Sequence, residues 1–234
     1  MDNSTFLQVL KESFVMYLKT GARSNEKLKV LHGAIAKDIF NRLGDKKYSI
    51  ASLGFENGKE VKIKGRYIDK AVDITVCYDK EPIAGFAVKY VMSNYSQNSN
   101  NYFENMLGET ANIRTANIPY FQMFIIPDKI PYFDDKNEIS KWERISQHNI
   151  QKYVHLSNDN TDSYFHTPNK TLVFIIHINN NNDSIKTKKE YFDYYLGNEF
   201  DIELSKLDFE FGRNVIYNDY ESFAEKSVHL IKSL

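Results

Sequence analysis

The segment VDITVCYDKEPIAGFAVKY, residues 72 to 90, puts a carboxylate at Asp73 and an amine at Lys89 in two runs that otherwise read as core. Side chains alternate across a strand, so Val72, Ile74 and Val76 share one face of the first run and Asp73, Thr75 and Cys77 the other. On the second run, Phe86, Val88 and Tyr90 oppose Gly85, Ala87 and Lys89. If the runs pair across the DKEP turn, Asp73 faces the side that carries Ala87 and Lys89. A buried Asp and Lys are costly unless paired or functional. A metal-dependent phosphodiesterase needs such a grouping, because hard divalent cations such as Mg²⁺ take oxygen ligands. A neighbouring lysine orients or helps deprotonate the attacking water and offsets charge in the transition state. In the purely structural alternative, Asp73 accepts backbone hydrogen bonds at a strand end and Lys89 extends its stem to water.

This arrangement resembles the PD-(D/E)XK nuclease superfamily, in which an Asp on one strand is followed by an acid, any residue and Lys on the next. VD at 72–73 matches the first half and AVK at 87–89 the second, except that Ala87 stands where the acid belongs. The continuation KYVMSNYSQNSNNYFENMLGE is similar to type II restriction endonucleases, and the resemblance covers about residues 24 to 126. It implies an α/β, restriction-endonuclease-like core with a central mixed β-sheet flanked by helices. It also implies Mg²⁺-dependent, sequence-specific hydrolysis of double-stranded DNA. Asp73 would ligate the metal, Lys89 would position or activate water, and position 87 would carry the second ligand. A homodimer follows from the two-fold symmetry of a palindromic site. Ala87 has three readings: an engineered replacement of Glu or Asp, an acid moved to the following helix with Glu104 first and Glu109 next, or a natural loss of activity. Two alternatives stand beside the restriction enzyme. One is a repair or mobile-element nuclease that selects DNA by structure, and the other is a non-catalytic DNA-binding or protein-interaction module with a nuclease-like fold.

Residues beside the pair suggest DNA contacts. Ser93, Asn94, Tyr95, Gln97, Asn98 and Asn101 concentrate amides and hydroxyls, which can pair with adenine or hold phosphates. The competing reading is a plain polar loop, since NNNND at 179–183 shows how common such tracts are in this chain. Arg23, Lys27 and Arg114 are candidate phosphate ligands, while Ser24 and Asn25 also read as helix caps. Glu26 is either an auxiliary acid or part of a solvated face. The six histidines show no zinc spacing, with His32 on a helix and His177 in an apolar run. Cys77 reads as core rather than nucleophile. No glycine-rich phosphate loop is present.

The elements that must position these residues follow from periodicity. Helices are predicted over 4–19 and 25–43, then strands in YSIASLGF, KEVKIKGRYI, 71–78 and 83–91. A helix is predicted from about Tyr102 to Thr115 and another over 136–153, with Ile139, Trp142, Ile145 and Ile150 inward. The apolar runs 120–127 and 170–178 read as buried strands. NVIYND and YESFAEKSVHLIKSL close the chain as strand and helix. One nuclease-like domain over 1–234 is expected, with residues 127–234 completing the sheet and supplying DNA contacts or a dimer interface. Thirty basic against thirty-one acidic residues exclude a basic coat for nucleic acid but not a local basic patch. No apolar run approaches the ~20 residues that span a bilayer, the N-terminus lacks a secretion signal, and a single cysteine fits a reducing, bacterial cytoplasm.

Overall fold

A computed structural model describes residues 1–56 and 58–234. Two helices open the chain, α1 (Asn3–Thr20) and α2 (Glu26–Leu43). Asp2 caps the first by accepting from the Thr5 N–H, and Gly44 ends the second in the left-handed conformation. Strands β1 (Tyr48–Ser52), β2 (Val61–Lys64), β3 (Asp69–Val72), β4 (Ile74–Tyr78) and β5 (Glu81–Tyr90) follow, then α3 (Tyr95–Arg114) and β6 (Tyr120–Pro127). The rest comprises β7 (Lys129–Phe133), β8 (Ile139–Arg144), α4 (Gln147–Ser157), β9 (Lys170–Ile178), α5 (Lys188–Gly197), β10 (Ile202–Leu204), β11 (Val215–Tyr217) and α6 (Tyr220–Lys232).

The central sheet is mixed, in the order β1-β4-β5-β6-β9-β10, and β11 shares the outer edge of β9. β1, β4 and β5 form an antiparallel meander, whereas β5, β6, β9 and β11 run parallel. Strand β6 is buried along its whole length because both faces are covered. Phe121, Met123 and Ile125 pack with α1, α2 and α6 on one face, and Phe124 and Ile126 pack with α3 and α4 on the other. The protein is therefore α/β, with helices on both faces of a mixed sheet.

Three expectations need correction. The run 71–78 is not one strand: β3 pairs with β2 in a small ribbon, β4 pairs with β1 and β5, and Asp73 lies at the junction. Helix α3 begins at Tyr95 rather than near Tyr102, so the polar tract is its first two turns. The reason is tertiary. Asn94 adopts a left-handed conformation before the helix, and Tyr95 is buried in the second core cluster. Residues 136–153 are not one helix but strand β8 followed by α4. Asp134 accepts from the N–H groups of Lys136 and Glu138, and left-handed Asn137 completes the β7–β8 turn.

The β2–β3 ribbon is anchored by Ile63, which packs with Val72, Ile113 and Tyr120. Its tip is clamped by Asn112 of α3. The Asn112 amide oxygen accepts from the Tyr67 and Ile68 N–H groups, and its nitrogen donates to the Ile68 carbonyl.

Candidate active site

A cleft of about 280 Å³ opens between the ribbon, β5, β6 and α3, and Asp73, Ala87, Lys89 and Gln122 all line it. Pairing places these residues together. Ile74 lies opposite Phe86, so Asp73 falls level with Ala87, and Ala87 pairs in turn with Gln122. Alternation then brings Lys89 to the same face. Strand β4 ends before it reaches Val88, and the Val88 N–H donates instead to Asp73 Oδ2 at 2.7 Å. Ser52 Oγ donates to the Asp73 carbonyl at 2.8 Å and fixes the backbone at the junction.

Burial lifts the Asp73 carboxyl to about 6; the Val88 N–H opposes the shift, Glu109 adds to it, and Lys70 and Lys89 oppose it. Burial also lowers the Lys89 ammonium, with Asp73 opposing and Lys27 reinforcing that change. Lys89 Nζ stands 4.0 Å from the centroid of the Tyr102 ring. Across the cleft, Lys70 pairs with Glu109 at 2.5 Å, and the Tyr120 hydroxyl donates to Glu109 at 3.4 Å. Gln122 is buried and its amide nitrogen has no partner among the described residues.

Behind Asp73 lies a second grouping. His32, Glu60 and Asp73 each offer a ligand atom, and these atoms lie within 4.8 Å of one another. His32 is 1% exposed, and neither ring nitrogen has a hydrogen-bond partner among the described residues. Burial lowers its imidazolium to about 4, and burial together with the Asp73 charge pushes the Glu60 carboxyl upward. Close backbone contact brings these segments together. A Cβ on Gly33 would meet the Gly54 carbonyl oxygen at 2.5 Å, and one on Gly54 would meet that of Lys29 at 2.0 Å. Gly54 also has φ +75°, so the loop after β1 can lie directly on α2 beside His32.

Apart from Glu109, the other residues singled out from the sequence do not line the cleft. Glu104 is exposed and acts on Lys152, away from Asp73. The acid that α3 brings to the cleft is Glu109, because five residues of helix turn the side chain well around the axis. Arg114 is a correction: it is buried and donates to the carbonyls of Thr161, Tyr164 and Thr167, so it is no free phosphate ligand. Tyr95 is core. Asn94 is occupied by a two-way hydrogen bond to the Phe133 backbone. Lys27 donates to the carbonyls of Ala22 and Ser24 at 2.6 and 2.5 Å and caps its own loop. Arg23, Gln97 and Asn101 are exposed, and Ser93 and Asn98 are half-buried near Tyr17 and Tyr102.

Sequence reasoning missed Lys70, Gln122, His32 and Glu60. Gln122 was detectable as the one amide in an apolar strand. His32 had only its place on the inward face of α2. The basic run on the ribbon was also visible: Lys59, Lys62, Lys64, Arg66 and Lys70 outnumber Glu60 and Asp69. Lys62, Lys64 and Arg66 are exposed. Compared with known proteins, the chain matches no protein-family model, no curated protein and no solved structure.

Proposed function

We propose that this chain is a divalent-cation-dependent nuclease acting on double-stranded DNA, a type II restriction endonuclease in the PD-(D/E)XK manner with a restriction-endonuclease-like core, working as a homodimer. The observation that carries the reading is the meeting of Asp73 and Lys89 in one cleft, with only Ala87 between them on that face. The ribbon beside the cleft presents Lys62, Lys64 and Arg66 to solvent, a basic strip suited to a phosphate backbone.

The Asp73 oxygen not held by Val88 and the Glu60 carboxylate supply hard donors that suit Mg²⁺ or a similar ion. A divalent ion bound there would neutralise charge on the phosphoryl oxygens and acidify water. Lys89 orients the attacking water, and burial brings its amine nearer to accepting that water's proton. As the water oxygen bonds to phosphorus, the bond to the leaving ribose oxygen breaks. Lys70 and Lys89 offset the charge that develops. Ala87 leaves the cleft side of β5 without a ligand at that position.

Plasmid cleavage tests this reading, with the unaltered chain and Ala87→Glu incubated with Mg²⁺ or Mn²⁺ and compared on linear and branched duplexes. Cleavage is expected to fall by about a hundredfold or more in Asp73→Asn and in Lys89→Met. Absence of both cutting and DNA binding in the unaltered chain and in Ala87→Glu would end the proposal.

A further inference from the structure

We propose that His32, Glu60 and Asp73 form a three-residue cation site that selects Mn²⁺ over Mg²⁺ and supplies the second carboxylate that position 87 lacks. Its use in hydrolysis rests on the nuclease reading, whereas its existence does not.

The ligand atoms of the three residues lie within 4.8 Å of one another. First-row ions bind nitrogen and oxygen donors at about 2.0–2.2 Å, so two ligands of one octahedral ion stand roughly 3 to 4.4 Å apart. A spread of up to 4.8 Å is slightly wider than that range, so side-chain adjustment closes the set. His32 provides an independent reason to expect a ligand. It is 1% exposed, and both ring nitrogens are without a hydrogen-bond partner among the described residues. Burying a polar group in that condition is costly, and native structures explain such groups by water, an ion or a catalytic role. Asp73 leads to the same place. Among the described residues its carboxylate has one hydrogen bond, from Val88 to Oδ2, and Oδ1 has none.

The donor types set the choice of ion. An all-oxygen cage suits Mg²⁺, which holds its waters firmly and asks for oxygen donors. An imidazole nitrogen favours first-row transition ions. Two carboxylates with one imidazole leave three octahedral positions for water or phosphate oxygens, which fits Mn²⁺. The frame is rigid: the contact of Gly33 with Gly54 fixes the approach of the loop to α2, and Ser52 holds the Asp73 backbone. Glu60 reaches the site from outside the β4–β5 pair. The chain as it stands, with Ala87, therefore keeps two carboxylates for an ion.

The test uses the full chain stripped with a chelator. Calorimetry with Mn²⁺ alone and Mg²⁺ alone should give one Mn²⁺ per chain, bound at least about tenfold more tightly than Mg²⁺. Pulsed electron paramagnetic resonance of the Mn²⁺ complex should show coupling to an imidazole nitrogen. His32→Gln should remove that coupling and weaken Mn²⁺ about tenfold or more, and Glu60→Gln should weaken binding while keeping the nitrogen signal. His177→Gln should change neither. A bound Mn²⁺ with no nitrogen coupling in the unaltered chain, or no Mn²⁺ binding at all, overturns the site whether or not the variants fold. Mn²⁺ binding without cleavage of any DNA would leave the site standing and remove the nuclease reading. Mg²⁺-driven cleavage unaffected by Glu60→Gln would leave the nuclease reading standing and remove the site's part in hydrolysis.

Discussion

Two places in this molecule bring an aspartate and a histidine together near the central sheet, and they differ in how completely the groups are satisfied. At the ends of β6 and β9, His177 Nδ1 lies 3.1 Å from both carboxylate oxygens of Asp128, and Ser205 Oγ donates to the same carboxylate at 2.9 Å. Around Asp73, by contrast, the carboxylate has one backbone donor and the neighbouring imidazole has none among the described residues. The first arrangement is complete within the chain and ties β6, β9 and the segment after β10 together. The second is buried more deeply, carries displaced proton affinities and leaves the His32 ring without a hydrogen-bond partner among the described residues. Residue type alone does not separate structure from chemistry here. What differs between these two places is how many polar atoms are left unsatisfied.

The comparison can be broken most forcefully at Gly54. A Cβ there meets the Lys29 carbonyl oxygen at 2.0 Å and forces a left-handed residue at φ +75°. Gly54→Ala should cost about 3 kcal/mol or more in chemical denaturation and should weaken Mn²⁺ binding with it. Next come the two aspartates, which should respond with opposite signs in the metal-free protein. Asp73→Asn removes a buried charge yet keeps an acceptor for Val88, and should stabilise the fold at pH 8 by about 1–3 kcal/mol. Asp128→Ala strands His177 and Ser205 and should destabilise it by about 1–3 kcal/mol. Equal signs in urea melts would erase the distinction.

Acid titration sharpens the same point. The Asp73 carboxyl is raised to about 6 from 3.8, so between those values the folded state binds the extra proton and stability falls as pH rises. The His32 ring is lowered to about 4 from 6.5, so over nearly the same window the unfolded state binds the extra proton and stability rises with pH. The two slopes offset each other in the unaltered metal-free chain. His32→Gln should therefore make stability decline from pH 4 to 6, and Asp73→Asn should make it climb, as denaturation midpoints across that range will report. The smallest effect belongs to Ser205→Ala, which loses the hydrogen bond to Asp128 and the long one accepted from the Leu207 N–H. About 1 kcal/mol of stability should go, with Mn²⁺ affinity unmoved.

Much of the frame was legible in the chain. Helices α1 and α2 carry amphipathic patterns and strands β6 and β9 nearly continuous apolar runs, whose burial decides their type. Asp73 and Lys89 were readable together because a strand's period of two puts them on one face. What escaped depended on contacts distant in sequence. Helix α5 was missed although Thr187 and Glu190 form a capping box, since its inward surface is Tyr191 and Tyr195 in an otherwise polar stretch. The acceptors that bury Arg114 are backbone carbonyls, which no side-chain pattern announces. His32 of α2 and Glu60, just before β2, are distant in sequence and meet where the loop after β1 lies on α2 at Gly33 and Gly54.

The amide of Asn112 has a bearing on how the ribbon would meet a large partner. Its three hydrogen bonds set the shape of the tip while leaving Tyr67 75% and Ile68 65% exposed. A projection moulded in advance surrenders little freedom on contact. Such a tip would discriminate by rejecting surfaces that do not match its outline, and it should resist proteases that cut pliant tips.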